Sequence, residues 1–279
     1  MVDLVQKVLL TGATGFVGKA ILAELDSFEV KTILPVRLTS RIPSNISRNT
    51  QVARTDSLFS QQGIEKELLE GVDIVIHSAW EMRRDPQNVR SNLRSLNGSV
   101  KLAEEAAEAG VKKFVGIGSA AEYGNQVGPF AASCPAQPNT AYSGAKHATR
   151  ILQEEVFRNT KTQFSWARIF NLFGPNEDSR RLHPHIRSRL AEGKKVLLGP
   201  RETTLDYLEV SNTARQIVQI AFSDLVGPLN VCSGEGQTVE EIALQLAAEF
   251  GRPDLLEFDS FERSHSQPIE IVGIPSLPQ

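Results

Sequence analysis

Up to Ile169, short apolar runs alternate with longer stretches whose apolar positions recur every three or four residues. Runs that are apolar on both faces suit strands covered by helices on either side, and the longer period marks amphipathic helices between them. Lys7–Thr11 reads as the first strand and Phe16–Leu25 as a helix. Val30–Val36 is a second strand, Gln51–Arg54 a weaker third, and Ile64–Glu70 a helix. Asp73–Ser78 is again a largely apolar strand. Asn92–Ala109 has helical spacing and is closed by Gly110, as a left-handed cap would close it. Lys113–Ser119, a helix over Tyr142–Phe157 and a strand over Phe164–Ile169 complete the rhythm. This pattern predicts an α/β chain with a Rossmann-type doubly wound parallel sheet.

After Phe170 the pattern is irregular. It predicts a short helix at Pro184–Glu192, strands at Val196–Leu198 and Leu205–Leu208, and a helix over Ser211–Phe222. A strand at Leu229–Cys232 and a helix at Val239–Phe250 follow, and the tail beyond Gly251 is polar and proline-rich. The change divides the chain into a Rossmann-type domain, 1–169, and a smaller region, 170–279, expected on the substrate side of the sheet. Within the latter, the segment near 204–222 is expected to return to the core.

Composition removes several function classes. With 279 residues and a net charge of −3, the chain has no basic excess for nucleic acid or an anionic membrane. The longest mainly apolar run, Val72–Ala79, is too short to span a bilayer. Met1–Leu10 lacks a basic segment followed by a long apolar one, so no secretory signal is expected. Cys134 and Cys232 lie far apart with no metal-ligand spacing, and read as reduced thiols of a cytoplasmic protein. His183 and His185 flank a proline without a partner that would make a metal site, and none is expected.

The sequence Thr11-Gly12-Ala13-Thr14-Gly15-Phe16-Val17-Gly18 joins the first strand to the first helix. Gly12 permits the tight turn, Gly15 lets backbone approach a pyrophosphate, and Gly18 allows close helix–strand packing. Thr14, Phe16 and Val17 complete the phosphate-facing segment, where the helix N-terminus favours negative charge. At the end of the second strand an acidic residue would bind ribose hydroxyls, whereas arginine accommodates a 2′-phosphate. Leu34 to Arg41 contains no acid, and Arg37 stands 19 residues past Gly18. NADP(H) is therefore favoured over NAD(H), with Arg37 as the main contact and Arg41 as a second. Asp56 and its neighbour Ser57, after the third strand, are placed to meet the adenine.

Tyr142 and Lys146 form a YxxxK pair at the start of a long helix, and a spacing of four puts both on one face. Hydride transfer at a carbinol carbon needs a partner for the hydroxyl proton. A free tyrosine, with a pKa of about 10, becomes a better one beside an ammonium. Ser119, at a strand end, can hydrogen-bond the reacting oxygen.

TGATGFVG, IVIHSAW, GIGSAAEYG, YSGAK and RIFNLFGP occur in an order and spacing that resemble the extended short-chain dehydrogenase/reductase (NAD-dependent epimerase/dehydratase) family, to about Arg252. The resemblance implies that Ser119, Tyr142 and Lys146 are the catalytic residues and that Ala79 lies beside the nicotinamide ribose. It implies that Asn171 contacts the diphosphate of a nucleotide sugar, and that the protein is a homodimer through helices at Asn92–Ala109 and Tyr142–Phe157. Trp80 and Tyr123 either flank the nicotinamide or sugar, or pack in the core.

Departures from the family pattern narrow the reaction. Dehydratases of this kind carry an Asp-Glu pair after the catalytic Ser/Thr, whereas this chain has Ala120-Ala121, with Glu122 displaced by one. Epimerases that retain NAD carry an acid where Arg37 stands. His77-Ser78-Ala79-Trp80, then Asn92-Leu93 and GIGSAAEYG, most resemble 4-keto-6-deoxysugar reductases. The expected activity is NADPH-dependent reduction of a nucleoside-diphosphate-4-keto-6-deoxyhexose. A nucleotide-sugar 4-epimerase is the alternative, and a non-catalytic NADP-sensing protein a third reading. Leu205 occupies a position often held by a diphosphate-binding arginine, so Arg201 or Arg263 is expected to replace it. The chain ends soon after Ile271, which implies a substrate pocket that is more open or is completed by a partner subunit.

Overall fold

The protein, seen in a computed structural model, is described at residues 5–42, 46–56, 58–59, 64, 66–82, 85–258 and 269–278. Ser57 and Arg263 lie outside the described residues.

The first half runs β1 (Lys7–Thr11), α1 (Phe16–Leu25), β2 (Lys31–Arg37), β3 (Thr50–Thr55), β4 (Ile74–His77), α2 (Val89–Glu108), β5 (Lys113–Ser119), α3 (Ala141–Phe157) and β6 (Gln163–Ile169). The second half runs β7 (Asn171–Phe173), α4 (Leu182–Ala191), β8 (Val196–Leu198), β9 (Thr204–Glu209), α5 (Val210–Ala221) and β10 (Gly227–Val231). It ends with β11 (Gly236–Thr238), α6 (Val239–Phe250), β12 (Leu256–Phe258) and β13 (Glu270–Ile271).

Seven strands form one sheet in the order β10-β6-β5-β4-β1-β2-β3, and every pairing in it is parallel. This is the predicted doubly wound architecture. α1 and α5 cover one face around Leu10, Ile21, Ile76 and Ile217, and α2 and α3 cover the other around Leu9, Val75, Phe114 and Trp166. Strand order reverses at β1, with β2 on one side and β4 on the other. The crevice beyond their carboxyl ends is where such sheets bind ligands.

Local chemistry explains the boundaries that differ from expectation. α2 starts at Val89 rather than Asn92 because the Asn88 side chain caps it, accepting from the Ser91 amide at 3.0 Å. The expected helix at Ile64–Glu70 is a single 3₁₀ turn, Lys66–Leu69.

Chain beyond β6 returns to the main sheet twice, through α5 and through β10, which pairs with β6. The rest forms an annex. β9 is its hub, pairing with β7, β11 and β13, while α4 and α6 pack over β8 and β12 on their own apolar cluster. Buried Asp206 ties it together. Its carboxylate accepts from the Ser233 amide and hydroxyl and the Gly234 amide at 2.6–2.9 Å, and from the Gly273 amide at 3.2 Å. Both cysteines are free thiols, and burial, with Asp206 nearby, pushes Cys232 up to about 12. Among the described residues, no helix is long and apolar enough to cross a membrane.

Candidate active site

The glycine loop is shaped by close backbone approach. Gly12 has a φ of +74°, which glycine adopts at little cost, and a Cβ there would stand 2.6 Å from the Ala79 nitrogen. At Gly18 a Cβ would fall 2.0 Å from the Gly12 carbonyl oxygen. Gly15 precedes α1, is exposed, and donates its amide to Gly12 O at 2.9 Å. No side chain caps α1, which leaves its first-turn amides, at Phe16 to Gly18, to a ligand's phosphates. Thr14 lies half-buried in the same turn. These features fit a dinucleotide.

Arg37 ends β2 with its side chain exposed, and Arg41 and Asp56 are exposed in the loops beyond β2 and β3. Arg54 was not singled out from sequence. Its guanidinium donates to the carbonyls of Arg37 at 2.9 Å and Ser40 at 2.8 Å, so it frames the loop that presents Arg37.

A buried hydrogen-bond chain fixes the end of β4. Ser99 donates its hydroxyl to Ser95 O at 2.6 Å, so its oxygen accepts from His77 Nε2 at 2.7 Å. With the imidazole neutral, His77 Nδ1 accepts from Thr11 Oγ1 at 2.8 Å, and Thr11 also accepts from the Ala79 amide at 3.2 Å. Burial, with the Lys146 charge adding to it, pulls His77 down to about 3.

Ser119, Tyr142 and Lys146 come together at the carboxyl end of β5 and the first turns of α3. Ser119 caps the 3₁₀ turn Ala120–Tyr123, its oxygen accepting from the Ala121 amide at 3.2 Å. Its proton is thereby free to point elsewhere, and the hydroxyl acts on the Tyr142 phenol, drawing its pKa down. Thr140 caps α3, and the Tyr142 amide donates to Gln87 Oε1 at 3.1 Å. One turn on, Lys146 donates to Ile117 O at 2.8 Å. Trp80 covers both functional groups, 3.9 Å from Lys146 Nζ at its ring centroid and edge-on to Tyr142 at 6.3 Å. The indole is held by Asn92 Oδ1 at 3.0 Å, and the Asn92 amide donates to Pro86 O.

Burial raises the Tyr142 phenol above its ordinary value; Ser119 and Arg181 oppose the rise and the Glu122 charge adds to it. Burial pulls Lys146 down to about 7, and Glu122 opposes that fall. The pair is a neutral phenol beside an easily exchanged ammonium, suited to giving a proton to an oxygen that is gaining charge. Tyr123 is elsewhere. It stacks on Phe130 at 4.4 Å and donates to Asn230 Oδ1 at 2.7 Å in the core.

On the annex side, Asn171 opens β7 opposite Tyr207 of β9. Arg201 is not drawn into this group. It pairs with Glu240 at 3.3 Å and lies over the Phe258 ring. Arg181, at the head of α4, is exposed, and its side chain pairs with no described residue. Its charge acts on Glu177 and Asp178 as well as on Tyr142 and Tyr207. Next to it His183 stacks on Phe173 at 5.0 Å and lies tilted against Tyr207 at 4.7 Å, and its buried Nε2 has no hydrogen-bond partner among the described residues. Burial, with Arg187 adding to it, pulls His183 to about 4.

The profile of the family described as NAD dependent epimerase/dehydratase matches residues 8–231. The chain is 23% identical over 247 residues to the dTDP-6-deoxy-L-talose 4-dehydrogenase (NAD(+)) of Aggregatibacter actinomycetemcomitans, covering 87% of this chain and 90% of that enzyme. It is 28% identical to the UDP-glucose 4-epimerase of Neisseria meningitidis serogroup B, covering 88% and 83%. Among solved structures, the UDP-N-acetylglucosamine 4-epimerase of Methanobrevibacter ruminantium superposes with a TM-score of 0.85 at 21% identity, over 98% of this chain and 90% of that one.

Proposed function

The chain belongs to the NAD-dependent epimerase/dehydratase family, and from that premise we propose that it reduces a nucleoside-diphosphate-4-keto-6-deoxyhexose with NADPH. It is an enzyme of the extended short-chain dehydrogenase type, an oxidoreductase or epimerase working with a pyridine nucleotide. The observation that carries the choice of reaction lies after Ser119. Ala120 and Ala121 have no acid for eliminating water, and Glu122 is turned into the core. Simple carbonyl reduction asks only for what remains. The Aggregatibacter relative is named for dehydrogenation at C4 of a dTDP-6-deoxysugar, the same transfer in the opposite direction.

When bound, the reduced nicotinamide supplies the hydride. Ser119 donates its hydroxyl to the carbonyl oxygen, and Tyr142 delivers its proton to that oxygen as charge develops on it. Lys146 orients the nicotinamide ribose and favours the phenolate left behind. Trp80 walls the site, and Arg37 with Arg41 receives the 2′-phosphate. The region after residue 170 holds the substrate. Asn171 and Arg181 take its diphosphate, with Arg181 standing in for the arginine absent at Leu205. Exposed Val89 and Leu93 on α2, and Ile151 and Leu152 on α3, support a homodimer through these helices.

Mixing the protein with NADPH or NADH and dTDP- or UDP-linked 4-keto-6-deoxyhexoses tests this reading. The expected result is loss of reduced-nicotinamide absorbance, faster with NADPH, and no loss with any pairing would refute it. The Neisseria relative favours a second reading, nucleotide-sugar 4-epimerisation. That activity would appear as NAD retained through purification and turnover with no cofactor added.

A further inference from the structure

Directly beneath the Ser119 turn lies a carboxylate that the reaction as described does not use. Glu122 is 0% exposed. Its Oε1 accepts from the Ser119 amide at 2.9 Å and from Trp166 Nε1 at 2.8 Å, and its Oε2 accepts from Arg168 Nε at 3.2 Å. Arg168 is itself buried and anchored elsewhere, donating to Tyr123 Oη and Ala132 O at 3.1 Å each. The main sheet is cut away to admit this group. A Cβ on Gly118 would stand 2.7 Å from Glu122 Oε1 and 2.2 Å from Trp166 Nε1, so no other residue fits there without displacing the pair. Gly118 separates Ile117, whose carbonyl holds Lys146, from Ser119, and the carboxylate therefore sits between the anchors of two of the three reacting residues.

We propose that Glu122 is a positioning residue for the reacting trio, locking the Ser119 turn through the Ser119 amide and setting a buried negative charge beneath the strand end that anchors Lys146. The proposal rests on the reading of Ser119, Tyr142 and Lys146 as the reacting centre, but not on the identity of the sugar.

The charged and titratable groups around the site decide the sign. Glu122 meets Arg168 from β6 and, at 3.7 Å, His147 Nδ1 from α3, and its charge acts on Lys146 and Tyr142 of the same helix. Burial alone would raise the Glu122 carboxyl, but His147, Arg168, the Ser119 amide and Trp166 draw it below the ordinary value, so it stays ionised. Lys146 faces Trp80, neutral His77 and Glu122, and of these only Glu122 carries a charge that favours the ammonium. The charges that act on Tyr142 are those of Glu122 and Arg181. A negative charge at Glu122 favours the proton on both Lys146 and Tyr142.

The test reads Lys146 directly and needs no substrate. Protein carrying ¹³Cε-labelled lysine is titrated by NMR, with Lys146→Met identifying the resonance, in the wild type and in Glu122→Gln. The expected result is a midpoint lower by about one pH unit or more in the variant, the size of effect an adjacent opposite charge produces. An unchanged midpoint in folded Glu122→Gln would overturn the proposal. Should the lone Arg168 prevent folding, Glu122→Gln with Arg168→Met removes the stranded cation, and the same downward shift is expected. A Lys146 midpoint equal to the wild type in that double variant would equally overturn it. Failure of the sugar reduction assay alongside a shifted Lys146 would refute the assigned reaction and leave this role standing.

Discussion

In the half that carries the glycine loop the candidate site is made of backbone, whereas in the annex its candidate contacts are side chains. Gly12 and Gly18 are pressed against Ala79 and against each other so closely that a methyl group would collide at either position. Asn171, Arg181, His183 and Tyr207 instead stand on β7, at the head of α4 and on β9 in the annex. The difference is physical. A phosphate can be held by amides and a helix dipole whatever the neighbouring side chains are, so that geometry admits little variation. Telling one sugar nucleotide from another requires side chains that complement particular groups, and the annex can change these without unfolding the sheet.

Removing the reacting proton donor should have the largest effect and tests the centre both halves share. Tyr142→Phe is expected to cut turnover by about 10²–10⁴-fold. Calorimetry should show cofactor affinity nearly unchanged, because the glycine loop is untouched. Gly18→Ala should do the reverse. It costs about 1–3 kcal/mol of stability through overpacking and weakens cofactor binding, as thermal unfolding with and without NADPH would show. Equal stability and affinity would mean the loop is looser than its contacts imply.

In the annex, Arg181→Ala should raise the substrate KM with little change in cofactor affinity, a loss of about 1.5–3 kcal/mol for a charged hydrogen bond. An unchanged KM would remove Arg181 from the diphosphate site. The buried chain that fixes β4 predicts a pH dependence. Folded His77 resists protonation down to about pH 3, while the unfolded imidazole titrates near 6.5. Below 6.5 the unfolded state binds the extra proton, so stability is lost as pH falls toward 3, by up to about 1.4 kcal/mol per pH unit. Denaturant titrations of His77→Asn should show a shallower acid limb. Arg201→Ala should have the smallest effect, about 1 kcal/mol on stability and none on KM, since it loses an exposed pair with Glu240 and its contact over the Phe258 ring.

The sheet and the glycine loop were legible in the sequence because buried parallel strands must be apolar on both faces and the loop must be glycine. The nearness of Tyr142 and Lys146 was legible through their spacing of four, and that of Ser119 through its place at the end of a strand. Much of the annex was not. β7, β11, β12 and β13 are two or three residues long, too short to show a period, and they exist only through pairing with β8 or β9. Arg181 could not be told from Arg180 or Arg201 without knowing which of them already had partners. Glu122 was visible only as an acid one position late, and its burial depends on Gly118, Trp166 and Arg168 from other parts of the chain. His77 was a letter in a strand, and its role depends on Thr11 and Ser99 closing on it.

Isotope transfer tests the central claim most directly. With NADPH deuterated at the transferable position and a dTDP- or UDP-linked 4-keto-6-deoxyhexose, the account predicts deuterium at C4 of the 6-deoxysugar product, with one cofactor oxidised per label, and loss of that transfer in Tyr142→Phe. A C4-inverted sugar formed from a 4-hydroxy substrate with no net cofactor oxidation would contradict it, as would label transfer that survives the loss of the tyrosine hydroxyl.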